Sequence, residues 1–210
     1  MNTWKSGRGQ KRTSGNGLRK NPLPTARIGL AALTLAITAL GGGQALAAPQ
    51  AGAAEASSLL ALFEKATLSG AVSDPFVITN NSGKALEIEN SSTKNGARAQ
   101  QWEYTGQSGA VWRFKRADDH SVYIVNEKSK KCLEIENSST KNGARAQQWT
   151  CNDQAGAKWR IYSATTGDGK TRLLFRNHSG KFLEIENSST KNGVGAQQWE
   201  NKGQSGAMWY

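Results

Sequence analysis

The side chains with chemical reach in this 210-residue chain are few: two histidines, two cysteines and a recurring set of glutamates. His120 and His178 have no serine or cysteine at a spacing that would make a nucleophile and base, so a catalytic pair is not expected. Glu87, Glu134 and Glu184 recur in three copies of one segment. Carboxylates related in that way should lie too far apart for the paired acid and base of a glycosidase. There is no glycine-rich phosphate loop between a strand and a helix, and no cluster of metal ligands. The chain reads as non-enzymatic, with no metal and no cofactor.

Cys132 and Cys151 are the only cysteines, and both fall in the second copy. The matching positions are Ala85 and Tyr104 in the first copy and Phe182 and Asn201 in the third. A pair present together and absent together is what a disulfide predicts, and export would make it the default.

Export is indicated by the first 47 residues. Seven basic residues and no acidic one stand in 1–27, the apolar run IGLAALTLAITAL follows at 28–40, and Ala45 and Ala47 supply small residues for cleavage. That order is a secretory signal, with cleavage expected after Ala47. Thirteen apolar residues would span roughly 20 Å as a helix, short of the ~30 Å of a hydrocarbon core, so a stable membrane anchor is not expected. The long basic region points to a bacterial, secreted protein. Losing those seven residues takes the formal charge from +11 to +4, which removes the electrostatic case for nucleic acid.

The elements that position these residues follow from a repeat. LEIENSSTKNG occurs at 86–96, 133–143 and 183–193, at intervals of 47 and 50. Residues 48–75 are an Ala-rich leader or linker in which SSLLALFEKAT has Leu59, Leu62, Phe63 and Ala66 on one helical face. Its role stays open between spacer, pro-segment and packing arm. From 76 onward strands alternate with turns. FVIT, VYIV and LLF open the copies, and LEIE alternates apolar with acidic as a half-buried strand does. NSSTKNG is turn chemistry, AQQW begins a third strand, and a Gly-rich turn leads to a second tryptophan. Four strands per copy give twelve in all. Three copies are too few to close a propeller, so a barrel with a shared core is expected. The tryptophans come in pairs ten residues apart, Trp102/Trp112, Trp149/Trp159 and Trp199/Trp209, and the second of each pair is assigned to the core.

The order SGK-x-LEI, Asn-Gly loop, AQQW, then x-x-W closely resembles the ricin B-type (R-type) lectin repeat, over about 76–210. The resemblance implies an all-β fold, a β-trefoil of three four-stranded repeats at about 76–116, 117–163 and 164–210, with pseudo-threefold symmetry. Cys132 and Cys151 occupy the positions of the family's intra-repeat disulfide. The resemblance also implies one shallow sugar pocket per repeat. The family's acidic position falls on Glu87, Glu134 and Glu184, its stacking aromatic on Trp102, Trp149 and Trp199, and its polar residue on Gln100, Gln147 and Gln197. Charge-assisted bonds from a carboxylate suit vicinal hydroxyls, and an indole face suits sugar C–H groups.

Two departures stand out. The acids are Glu where the family usually has Asp, and the family's Asn-Gln before the second Trp reads Gly-Ala at Gly109/Ala110, Gly156/Ala157 and Gly206/Ala207. The third copy stops at Met208-Trp209-Tyr210, so its last strand is short and barrel closure is expected to be weak there. The expected partner is a polysaccharide or cell-surface glycan bound by a monomer. The alternative is a secreted protease inhibitor using KRADDHS (115–121) and SATTGDGKT (163–171) as recognition loops. The triplication of LEIENSSTKNG argues against it, because inhibition needs one unique loop.

Overall fold

The computed structural model describes residues 51–210, with side-chain surroundings from residue 56 onward. The expected signal at 1–47 lies outside the described residues.

Among the described residues, eleven strands follow one α-helix. The first copy supplies β1 (Phe76–Val77), β2 (Ala85–Ile88), β3 (Ala99–Trp102) and β4 (Val111–Arg116). The second supplies β5 (Val122–Asn126), β6 (Cys132–Ile135), β7 (Ala146–Trp149) and β8 (Trp159–Thr165). The third supplies β9 (Thr171–Asn177), β10 (Phe182–Ile185) and β11 (Ala196–Trp199). A connected ribbon runs β1-β4-β5-β8-β9, and each copy adds one hairpin, β2-β3, β6-β7 or β10-β11. The twelfth expected strand is reduced to single bridges at Trp209, which pairs with both Leu173 and Asn80. Those bridges close the barrel. Leu173 and Trp209 exchange two backbone hydrogen bonds (2.8 and 3.0 Å), as do Thr79 and Tyr210 (3.2 and 2.8 Å). The expectation of weak closure is therefore corrected: the short end is bonded on both sides, and the Trp209 ring is fully buried.

The core is made by the inward residues of period-two strands. Trp112, Trp159 and Trp209 are fully buried, and each donates its indole N–H to the carbonyl of a leucine in its own copy: Leu86 (2.9 Å), Leu133 (2.9 Å) and Leu183 (3.1 Å). A buried indole needs such an acceptor, and these bonds tie the end of each copy to its LEIE strand. Around them pack Ile88, Ile135 and Ile185 with Phe114 and Phe175.

Helix α1 (Ala51–Ser69) adds an apolar stripe to this core through Ala56, Leu59 and Ala66, with Phe63 edge-on to Phe114 at 6.2 Å. It ends where Gly70, at φ +68°, gives its N–H to Ala66 O, a left-handed stop that glycine takes without strain. Beyond it, fully buried Ser73 is stapled to β4: its N–H donates to Phe114 O, its hydroxyl accepts from Phe114 N–H, and its carbonyl accepts from Arg113. Residues of this segment therefore pack against the barrel, through α1 and through Ser73.

Candidate functional site

The LEIE and AQQW strands of each copy pair so that the glutamate faces the glutamine. The registers are Glu87↔Gln100, Glu134↔Gln147 and Glu184↔Gln197. Each glutamine side chain donates to its glutamate, at 3.0, 3.0 and 2.9 Å. All three glutamates are about 5% exposed. Each aromatic lies two residues beyond its glutamine, with Trp102 41% and Trp149 40% exposed and Trp199 half-buried. All nine residues singled out by resemblance are thus brought together, three by three. In the third copy they line a cleft of about 250 Å³ together with Gln204, Lys202 and Asn187.

Sequence reasoning missed one member of this cluster. Gln154 and Gln204 donate to the second oxygen of Glu134 and Glu184, at 2.7 and 2.6 Å. Their counterpart Gln107 donates instead to the Glu103 carbonyl at 2.9 Å. A glutamine at the same place in all three copies of a variable turn was the available signal.

It also missed how the copies meet. NSSTKNG is more than a turn, because it reaches the next copy. Gln148, fully buried, donates to Ser92 O and Lys94 O of the first copy. Gln198 does the same to Ser139 O and Lys141 O, and Gln101 to Ser189 O and Lys191 O. Asn95, Asn142 and Asn192 accept backbone N–H groups of Thr150, Glu200 and Glu103, the residues following the exposed tryptophans. Gly96, at φ +80°, brings the loop against Trp149: a Cβ there would stand 3.7 Å from the ring. The three copies interlock in a circle, and the Asn-Gly turn of each copy lies against the exposed tryptophan of the next.

The Gly-Ala departure has a packing cause. A Cβ on Gly109 would meet Ile88 O at 2.7 Å, and its N–H donates to Ser91 Oγ at 2.9 Å; Gly156 and Gly206 repeat this. Asn90, Asn137 and Asn187 sit left-handed (φ 53–55°) in the same tight turns, a conformation that asparagine tolerates. The third copy's Gly195, where the others have arginine, leaves room for the Arg98 guanidinium, which points to Glu186 at 3.8 Å.

Cys132 and Cys151 form a disulfide with Cα atoms 5.3 Å apart. The stretch 163–171, expected as a recognition loop, is the end of the β8-β9 hairpin: Ser163, Ala164 and Thr165 pair with Leu173, Arg172 and Thr171, and 166–170 form the turn. Among the described residues no group of three or more His, Cys, Asp or Glu side chains is arranged to hold a metal ion.

The comparisons with known proteins agree with this geometry. The family model described as "Ricin-type beta-trefoil lectin domain-like" matches residues 67–149 and 110–199. Comparison with curated protein sequences gives no match. Among solved structures, a designed 3-fold symmetric protein, ThreeFoil, is 34% identical with a TM-score of 0.59, covering 64% of this chain and 95% of that one. An exo-β-1,3-galactanase from Clostridium thermocellum is 28% identical (TM-score 0.59), covering 64% of this chain and 29% of that one. The Rhizoctonia solani agglutinin shares the fold at 17% identity, with a TM-score of 0.56, covering 64% of this chain and 91% of that one. With the repeated Glu-Gln-Trp clusters, the threefold barrel and the family match in hand, the chain belongs to the ricin-type β-trefoil lectin domain-like family.

Proposed function

We propose that this is a secreted, non-catalytic carbohydrate-binding protein that engages a polysaccharide or surface glycan through three symmetry-related clefts. One observation carries the reading. Three times over, a buried carboxylate is oriented by a glutamine beneath a partly exposed tryptophan. The carboxylate accepts from sugar hydroxyls in a site largely shielded from water, and the indole covers the apolar sugar face. Such sites are individually weak, and a repetitive ligand that reaches several at once gains 10²–10⁴ in avidity. Export rests on residues 1–47, and the protein acts as a monomer.

The test is retention on insoluble polysaccharides. The likeness to an exo-β-1,3-galactanase makes β-1,3-galactan the first to try. The wild-type chain is expected to be retained, each of Trp102→Ala, Trp149→Ala and Trp199→Ala to weaken retention, and the triple variant to lose it. Undiminished retention of a folded triple variant would refute the reading.

A further inference from the structure

Strands β8 and β9 place two arginines directly opposite each other, Arg160↔Arg176. Like charges so paired destabilise a sheet. The equivalent hairpin β4-β5 avoids this: Arg113 faces Val125 and is held by Glu127 at 2.5 Å, which Lys130 also meets at 2.9 Å. At β8-β9 the position of Glu127 is taken by His178, and among the described residues neither guanidinium forms a salt bridge to a carboxylate. Arg176 instead donates its Nε–H to Gly180 O at 3.1 Å.

The two arginines line a cleft of about 310 Å³ with Asp118, Ser121, Lys158 and His178. Lys158 is neutralised by Asp153 at 2.8 Å, and Asp118 also lies in its field. With Lys158 so neutralised, the cleft holds two guanidiniums against the single carboxylate of Asp118, a net positive charge. Beside it, hydrogen bonding from Arg176, with a smaller contribution from Arg160, holds the Tyr162 hydroxyl below the usual phenol range.

We propose that this cleft, between the second and third copies, binds the carboxylate or sulfate group of an acidic sugar. Two planar forks on adjacent strands match an oxyanion's geometry, since guanidinium binds carboxylate and sulfate through parallel N–H bonds. The volume admits a ring of monosaccharide size. The site uses none of the Glu-Gln-Trp residues. Its anion preference stands without the carbohydrate reading above, whereas the sugar that carries the anion rests on it.

The experiment follows the arginine side-chain Nε–Hε NMR signals of the full chain at constant ionic strength. Four ligands are titrated: glucuronate, glucose 6-sulfate, inorganic sulfate and neutral glucose. Shifts are expected at Arg160 and Arg176 with the three anions and none with glucose, and the two sugar acids separate carboxylate from sulfate preference. The variant R160Q/R176Q should weaken the anions at least tenfold, while W102A/W149A/W199A should stay within twofold of wild type. Both arginines stand on an exposed face, so the variant should remain folded, as the unchanged buried indole signals would verify. Equal affinity in R160Q/R176Q, shifts confined to other residues, or no shift with any anion would overturn the proposal. None of those outcomes touches the tryptophan clefts. Loss of polysaccharide binding in the triple tryptophan variant with anion binding intact would show the two sites to be separate.

Discussion

The molecule has a half that repeats and a half that does not. LEIENSSTKNG and AQQW are identical in all three copies, whereas the β4-β5 and β8-β9 hairpins share little beyond their leading Trp-Arg. The repeating half is where each copy grips the next through the same side chain, Gln101, Gln148 or Gln198, on the same two loop carbonyls. A change in one copy there would spoil a fit with its neighbour. The hairpins meet unlike surroundings: Phe114 packs on α1, while Leu173 meets the chain end at Trp209. Sequence repetition in this chain follows shared interfaces, and divergence follows private ones.

The sharpest break of the comparison is within a tryptophan pair. Trp112→Ala removes a fully buried ring and orphans the Leu86 carbonyl, and should cost about 3–5 kcal/mol in a denaturant titration. Trp102→Ala, ten residues earlier and exposed, should cost under about 1 kcal/mol while removing binding at its cleft. Next in size is the disulfide, which belongs to one copy alone. Replacing both Cys132 and Cys151 by Ala should lower stability by about 3 kcal/mol for a loop of this length in the chain-entropy model. If the copies support one another as the interlock implies, the clefts of the first and third copies should still bind afterward.

A smaller effect tests the interlock itself. Gln101→Leu, Gln148→Leu and Gln198→Leu each strand two loop carbonyls and should each cost about 1–3 kcal/mol. Near-equal losses in chemical denaturation support the circle of contacts, and one large loss with two negligible ones contradicts it. The smallest effect lies in the divergent half. Burial, and then the hydrogen bond to Asp153, push the Tyr123 phenol up to about 12. The unfolded chain ionises this group first, from about pH 10, so the stability it contributes is intact below that pH and is lost as pH rises toward 12. Melting curves across this range should fall more steeply for the wild type than for Tyr123→Phe.

The strands, the tight turns, the disulfide and the burial of the second tryptophan of each pair were legible in the sequence because their causes are local. Period two marks LEIE, Asn-Gly marks positive φ, and two cysteines share one copy. Contacts between copies were not legible. Gln101 reaches carbonyls 88 and 90 residues away, and no spacing rule announces that. Nor does composition reveal that Gly195 clears space for Arg98, or that Leu59 and Phe63 dock on the barrel. The Glu-Gln-Trp clusters were placed by family likeness, and Gln154 and Gln204 were overlooked because they lie in turns that otherwise vary.

One spectrum weighs the carbohydrate account most directly: indole N–H signals of the six barrel tryptophans, recorded as a soluble oligosaccharide of a retained polysaccharide is added. Trp102, Trp149 and Trp199 should shift with ligand, while Trp112, Trp159 and Trp209 stay fixed on their leucine carbonyls. Saturable binding that leaves the exposed three unmoved would contradict it.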